Sequence, residues 1–362
     1  MGRNISNFID LCGGDFGRKT AYTGVDRITP QNVKKVLSDT IGIHNRNRVL
    51  INYLYRYYKG DQPILYREKL VRPEVNNKIV ENHALETVKF KAGQIYGEPI
   101  QYVCKKKKAS EEVNTQVDLL NDYLDEANAD ARNIQLGIYQ SAVGTSYKAI
   151  LKEEDWTEDG DLPPFRIFIP YPGDVYIVYS SQNGKPMLSV QILKDEDNKQ
   201  YYRCYSSNQY FDIQNGNIRS SGINGFGGIP IVEYKNNHDR LSDIEIAITM
   251  YDAINKYQSD RLNGVEQFVQ ALMKFKNCEI DEQEFLKMVK LGAVSVKDVG
   301  NGTQSDVDLM TAELNQSESQ VAKDDIYNNM LIVEAMPNRQ SNTGGDTGNA
   351  VYLRNGLTRS VA

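Results

Sequence analysis

LSDIEIAITMYDAINKYQSDRLNGVEQFVQALMKFKN, residues Leu241 to Asn277, is the stretch around which the rest of the chain is read. Apolar residues recur at Ile244, Ile248, Tyr251, Ile254, Tyr257, Leu262, Val265, Val269 and Leu272. Gaps of mostly three and four put them on one stripe of a long amphipathic helix. Ser242 fits an N-cap, and Glu245 three residues on completes the capping-box pattern. About thirty residues of such a helix span roughly 45 Å. That is longer than a globular core needs, and polar residues interrupt the stripe. The stretch reads as a strut in an assembly.

Working outward, the segment before it changes period. Ser146–Leu151, Phe165–Ile169, Val175–Tyr179, Met187–Leu193, Tyr201–Tyr205 and Tyr210–Ile213 are short and β-rich. Turn residues Asn183-Gly184, Asn198 and Asn215-Gly216 separate them. This predicts an antiparallel meander. The loop Ser221–Pro230 leads to a last strand, Ile231–Tyr234, before the long helix.

The N-terminal part is helical. Thr29-Pro30 opens a helix through about Ser38, and a second covers Arg46–Lys59, stopped by Gly60. Its tyrosines, Tyr53, Tyr55, Tyr57 and Tyr58, read as packing residues ahead of a nucleic-acid stacking platform. Asn76–Tyr96 is a further helix closed by Gly97, Ile100–Cys104 a short strand, and Lys105–Lys108 a solvated basic loop. Glu111–Tyr139 is helical with a break near Asn128-Ala129-Asp130.

Downstream, Asp281–Lys290 is a short helix, and Ala293–Val296 and Val307–Met310 are small strands. A second long helix runs from Thr311 to Met336 and ends at Pro337. Two long helices around a compact insertion are expected to run antiparallel as neighbours. Asn338–Asn349 is polar and glycine-rich, hence a loop, and residues 350–362 start another helix.

The 362 residues suffice for a sizeable core and two or three domains. A hydrophobic content of 40% and a charged content of 25% fit a soluble protein. The formal net charge of −6 argues against a surface that grips nucleic acid everywhere. It is compatible with DNA sliding past, because an acidic wall holds DNA weakly. Cys12, Cys104, Cys204 and Cys278 lie far apart without CxxC or a close histidine, so they read as reduced thiols. No run of eighteen apolar residues exists, and MGRNISNFIDLCGG lacks the apolar region of a secretory signal. MGRNIS matches the loose myristoylation pattern only weakly. The expectation is a soluble, intracellular protein with no membrane partner.

Catalytic signatures are missing from the sequence. His44, His83 and His238 leave little room for histidine chemistry, and Glu81-Asn82-His83 lacks HExxH spacing. Gly225–Pro230 lacks the strand–helix context of a dinucleotide site, and Thr343–Ala350 has no Gly-Lys-Ser/Thr. Glu153-Glu154-Asp155 and Asp195-Glu196-Asp197 read as solvated turn charges. Asp243, Asp252 and Asp260 are spread along the helix and do not converge on a metal. No enzyme activity, metal site or cofactor is expected.

Several pieces taken together resemble the SPP1-type portal proteins of tailed bacteriophages. In the long helix these are Ser242-Asp243, Glu245, Tyr251-Asp252, Ser259-Asp260, Asn263 and Phe268. Upstream, Tyr58-Lys59-Gly60 with Gln62-Pro63-Ile64, the helix end Gly93–Ile100, Gly144 with Ser146-Tyr147, Pro170–Tyr176 and Ile229-Pro230-Ile231 are similar to family segments. Gly344-Gly345 with Thr347–Ala350 extends the resemblance, which covers roughly residues 40–356. It implies an α+β, portal-like fold: a helical N-terminal part with an antiparallel β region, and two long stem helices flanking a small α/β clip. Residues 1–240 would be the wing, 241–277 the first stem helix, 278–311 the clip and 312–337 the second stem helix. Residues 338–349 would be the tunnel loop, and 350–362 the start of a truncated wing or crown helix, which family members continue.

The resemblance further implies a homo-oligomeric ring, usually of twelve subunits, at the capsid portal vertex of the virion and assembled in the bacterial cytoplasm. Such a ring passes double-stranded DNA without sequence specificity and meets terminase, the major capsid or scaffolding protein and the head-tail connector. Asn338, Arg339, Gln340, Ser341, Asn342 and Thr343 would face the DNA. Ser242, Asp243, Glu245, Tyr251, Asp252, Ser259, Asp260, Asn263 and Phe268 would pack the stem. The competing readings are a non-portal capsid-associated scaffold or interaction protein, and a metal-dependent nuclease on the turn carboxylates.

Overall fold

The computed structural model describes residues 8–70, 73–105, 111–157, 163–269, 272–276, 281, 283, 306–310 and 316–338. A short helix α1 (Phe8–Cys12) and a three-residue strand β1 (Ala21–Thr23) precede α2, Val33–Tyr58. This 26-residue helix replaces the two expected ones. Its buried stripe, Val33, Leu37, Thr40, His44, Asn47, Ile51, Leu54 and Tyr57, keeps gaps of three and four throughout. The middle of that stripe is polar, so apolar periodicity alone splits it. Each polar member is paired: Thr40 with the Val36 carbonyl at 2.7 Å, His44 with the Gly173 carbonyl at 2.9 Å, and Asn47 with the Lys19 amide at 2.9 Å and its carbonyl at 2.7 Å.

Helix α3 spans His83–Tyr96 only. The expected first turns, from Asn76, are not helical because Asn82 caps the helix, its side chain accepting the Leu85 amide at 3.2 Å. Ile100–Cys104 is irregular and not a strand. Tyr102 finds its backbone partners in the Asn121 side-chain amide, which bonds both its N–H and its C=O at 3.0 Å. Helices α4 (Glu111–Glu126) and α5 (Ala129–Val143) are separated where expected, by Asn128 in the left-handed region at φ 53°.

A three-stranded sheet has the order β3-β2-β9, with β2 Thr145–Lys152, β3 Phe165–Phe168 and β9 Ile231–Lys235. A six-stranded sheet runs β1-β4-β5-β6-β7-β8, with β4 Val175–Ser180, β5 Pro186–Lys194, β6 Gln200–Tyr205, β7 Gln209–Gln214 and β8 Asn217–Ile223. From β4 onward it is the expected antiparallel meander; β1 joins it parallel to β4. Asn215 and Gly216 both have positive φ, 50° and 76°, as a two-residue primed turn requires. Strand β8, NIRSSGI, is an addition: a largely polar edge strand carries little apolar alternation to read.

The long helix is α6, Ile248–Val269, 22 residues and about 33 Å long. It is shorter than the expected Leu241–Asn277 at both ends. Residues 241–247 form a bonded turn, and Leu272–Lys276 is a strand, β10. Its antiparallel partner is β11, Asp306–Met310, with Leu272 opposite Met310 and Lys276 opposite Asp306. The second long helix, α7, is Gln316–Val333 within the expected Thr311–Met336. The order is therefore helix, strand, insertion, strand, helix, and α6 packs against α7. Apart from Asp281 and Gln283, the expected helix Asp281–Lys290 lies outside the described residues. So do the expected strand Ala293–Val296 and residues 339–362.

One core joins these parts. Leu54 and Tyr57 of α2, Val88 of α3, Val143 of α5, Tyr251 and Ile254 of α6, and Met330 of α7 are buried together. A second core lies between the six-stranded sheet and the first half of α2. A boundary drawn at residue 240 crosses the first core, so the root of the long helices is part of the N-terminal body.

Candidate functional site

The polar interruptions of α6 form one line, and the structure shows what they hold. Asn255, Ser259 and Asn263 are four residues apart and buried, at 0%, 0% and 3% exposure. They accept the backbone amides of Glu81 at 2.8 Å, Ile79 at 2.9 Å and Asn77 at 2.8 Å. Four helical residues rise about 6.0 Å, and two residues of extended chain rise about 6.6 Å. Residues 77–81 therefore run antiparallel to α6 as an extended segment whose alternate amides meet successive helix turns. Side chains of the helix replace the strand that would otherwise satisfy those amides.

The neighbours complete the ladder. Asn255 donates to the Gln62 side-chain carbonyl at 2.5 Å, and Gln62 donates to the Tyr57 carbonyl at 3.2 Å and to Asn82 at 3.0 Å. Gln62 is buried, which gives the Gly60–Ile64 segment its glutamine. Tyr57 donates to Asp252 at 2.8 Å, and Arg67 pairs with Asp260 at 2.7 Å. Asn77 also donates its side-chain amide to Asn263 at 3.0 Å.

Below the helix, the turn at 241–247 is fixed to the end of α5. Ser242 accepts the Ile244 amide at 3.2 Å and donates to the carbonyls of Ser141 and Ala142. Its own amide donates to Glu245 at 3.1 Å, one half of the capping-box exchange, in a turn that precedes the helix. Asp243 accepts the Ser141 hydroxyl at 2.6 Å and the Asn236 side-chain amide at 3.0 Å. Glu245 accepts the Gly17 amide at 3.1 Å and forms a buried ion pair with Arg18.

The second long helix is latched to the first at the same level. Tyr251 bonds Glu334 through its hydroxyl and lies 3.0 Å from the Thr87 hydroxyl, which itself donates to Glu334 at 2.9 Å. Glu334 is 3% exposed. Burial pushes its carboxyl up to about 7, against the hydrogen bonds from Tyr251 and Thr87. Burial likewise raises Asp252 to about 6, against the Tyr57 hydrogen bond. Farther along, Lys323 of α7 pairs with Glu81 at 2.6 Å and reaches Gln258, and Arg261 donates to Gln320 at 2.5 Å.

Ser242, Asp243, Glu245, Tyr251, Asp252, Ser259, Asp260 and Asn263 thus all make contacts inside this chain. Phe268 lies on α6, and its side chain is outside the description. Of the expected tunnel-loop residues only Asn338 is described; it is exposed and donates to Asn328 at 2.9 Å. Arg339, Gln340, Ser341, Asn342 and Thr343 lie outside the described residues. Sequence reading missed Glu334, Thr87, Arg18 and Asn77. Glu334 alone carries a signal, a single acid inside the apolar run MLIVEAM.

The arrangement is suited to holding elements in register. Among the described residues no group of three or more His, Cys, Asp or Glu is placed to hold a metal ion. Burial lowers His44 to about 4, and its ring is fixed to the Gly173 carbonyl. Asp195, in one of the acidic turns, is occupied by the Asp197 and Lys199 amides and by Gln214. No helix of the described residues is long and apolar enough to cross a membrane.

No curated protein matches the chain. Two solved structures are similar over most of its length. "Neck of empty GTA particle computed with C6 symmetry" has a TM-score of 0.47 and 11% identity, covering 83% of this chain and 74% of that one. "Neck of native GTA particle computed with C12 symmetry" has a TM-score of 0.44 and 13% identity, covering 77% and 70%. The family model for "Phage portal protein, SPP1 Gp6-like" matches residues 37–358, nearly all of the sequence, and the chain therefore belongs to that family of phage portal proteins.

Proposed function

We propose that this chain is the subunit of a ring at the capsid portal vertex of a virion, a structural conduit for double-stranded DNA with no catalysis of its own. Family membership supports the reading. The observation that carries it is the coupling of α6 and α7: the Tyr251–Thr87–Glu334 latch at their root, and the β10–β11 ladder between their far ends. A hairpin anchored at one end and tipped by a small module presents its flanks to neighbouring copies. Head-to-tail contacts between such flanks close rings when the rotation closes. In this reading residues 1–240 are the wing, α6 and α7 the stem, 278–311 the clip and 338–349 the tunnel loop toward DNA.

Apolar residues left open on the long helices fit this use. Tyr257, Leu262 and Val265 of α6 and Val321 and Ile332 of α7 are exposed in the single chain. Terminase, the capsid or scaffolding protein and the head-tail connector are the partners the reading implies, with assembly in the bacterial cytoplasm. Negative-stain microscopy of the full chain tests it: closed rings with a central channel are expected. Small heteromers without a channel would favour a non-portal scaffold.

A further inference from the structure

Two contacts that fasten α7 to α3 need a proton to be complete. The first is a triangle of buried oxygens. Tyr251 Oη touches one carboxyl oxygen of Glu334, Thr87 Oγ1 lies 2.9 Å from the other, and the two hydroxyl oxygens are 3.0 Å apart. Three O···O contacts take three hydrogens, and the tyrosine and threonine hydroxyls supply two. The third belongs on Glu334. Each group then donates once and accepts once, which closes a cooperative ring. Without that proton, one pair of oxygens faces across the core with nothing between them. Burial is the leading cause that keeps the carboxyl neutral. Asp243, in the turn before α6, also opposes its ionisation, whereas Lys91 of α3 favours it.

The second contact is at His83, one turn before Thr87 on α3. Its Nδ1 lies 3.2 Å from a Glu86 carboxylate oxygen, and its Nε2 lies 3.3 Å from a Glu81 carboxylate oxygen. A neutral imidazole has one N–H, so donating to both carboxylates takes the imidazolium. Burial works against the charged ring, and the hydrogen bonds to Glu81 and Glu86 outweigh it, so the His83 pKa stands above its usual value. Helix α7 grips this pair with two side chains four residues apart: the Tyr327 ring lies 4.9 Å from the imidazole, and Lys323 bonds the other oxygen of Glu81 at 2.6 Å.

We propose that protons operate the attachment of α7: the Tyr251–Thr87–Glu334 ring and the Glu81–His83–Glu86 pincer hold the helix to α3 while both are protonated, and loosen it as pH rises. Both groups bind their proton more tightly in the folded chain than in an open one, so both contacts are complete in acid and lost toward alkaline pH. The apolar packing of Met330 and Leu331 does not titrate, so loss of the protons loosens α7 without dissolving the core beneath it. The inference concerns the single chain and stands apart from the ring reading.

Amide hydrogen exchange of the full chain, corrected for the pH dependence of the intrinsic rate, tests it at pH 5.5 and 8.5. Protection of the α7 amides is expected to fall by at least about tenfold at the higher pH, while β5 stays protected. Glu334→Gln supplies an amide donor and a carbonyl acceptor that keep the ring closed at either pH, and His83→Phe keeps a ring against Tyr327 without a titrating group. The double variant is expected to change by less than about threefold over the same range. Constant α7 protection in wild type, a double variant that follows wild type, or α7 and β5 exchanging together at pH 8.5 would each overturn the proposal. Infrared spectra of wild-type chain carrying 13C-labelled glutamate decide the matter if the double variant does not fold. A glutamic-acid carbonyl band that fades with a midpoint near 7 is expected, and its absence at pH 5.5 would overturn the protonated ring.

Discussion

The amide of Ile79 donates to the Ser259 hydroxyl at 2.9 Å, and that hydroxyl donates in turn to the Asn255 carbonyl at 2.7 Å. A single helix side chain thus satisfies a peptide group of a separate segment and returns its own proton to the helix. Repeated at Asn255 and Asn263, the device fixes a segment without secondary structure of its own against the long helix.

Ser259→Ala removes that acceptor and leaves a partly buried amide without a partner, which costs about 1–3 kcal/mol. Asp260→Ala, beside it, removes an ion pair whose carboxylate side is 46% exposed and is expected to cost under about 1 kcal/mol. Urea unfolding of both variants checks the contrast. Equal losses would mean that the ladder is not what holds residues 77–81.

Glu334 titrates at about 7 in the folded chain, against 4.5 for the unperturbed group. The folded state holds the proton through that window and the unfolded state does not, so stability falls as pH rises from about 4.5 to about 7. Asp252, raised to about 6 by burial, acts in the same direction. Glu334→Gln keeps the shape and removes the titration. Its melting temperature relative to wild type is expected to be higher at pH 8 than at pH 5, by an amount equivalent to at most roughly 3 kcal/mol. A parallel pH dependence for the two proteins would assign the effect to other groups.

Gly144 has φ +84°, and a Cβ there would lie 2.0 Å from the Arg240 carbonyl oxygen. Gly144→Ala adds that overlap to a left-handed backbone cost of about 1–3 kcal/mol. Because the glycine joins α5 to β2 against the 240–241 backbone, the variant is expected to lower the melting temperature and the soluble yield. Open Gly184, with nothing within reach of a Cβ, is the control for φ alone.

The tunnel-loop assignment is tested by Arg339→Glu and Asn342→Ala. Both are expected to alter DNA packaging while assembly stays at the wild-type level. Loss of assembly in either variant would place the loop in a subunit contact.

How much of this was legible in the sequence follows from where each signal resides. The meander and the break at Asn128 are written in local turn chemistry, in residues such as Asn215-Gly216 that accept positive φ. The polar positions Asn255, Ser259 and Asn263 were visible as interruptions, yet their role was not. Their partners, the amides of residues 77–81, carry no side-chain signature, and bonding to a helix 174 to 186 residues away leaves no period. For the same reason the sequence overextends the helix at its start: Leu241–Ala247 continues the apolar spacing, and bonds of Ser242 and Asp243 to α5 and of Glu245 to Gly17 and Arg18 hold it as a turn. Apolar periodicity divides helix α2 in two because Thr40, His44 and Asn47 satisfy buried positions with hydrogen bonds.

The native mass of the full chain at micromolar concentration tests the central claim most directly. The account predicts a single closed assembly whose mass is a whole multiple of 41.0 kDa, with the ring symmetry given by the multiple. A monomer at every concentration, or an open series of growing oligomers, would contradict it.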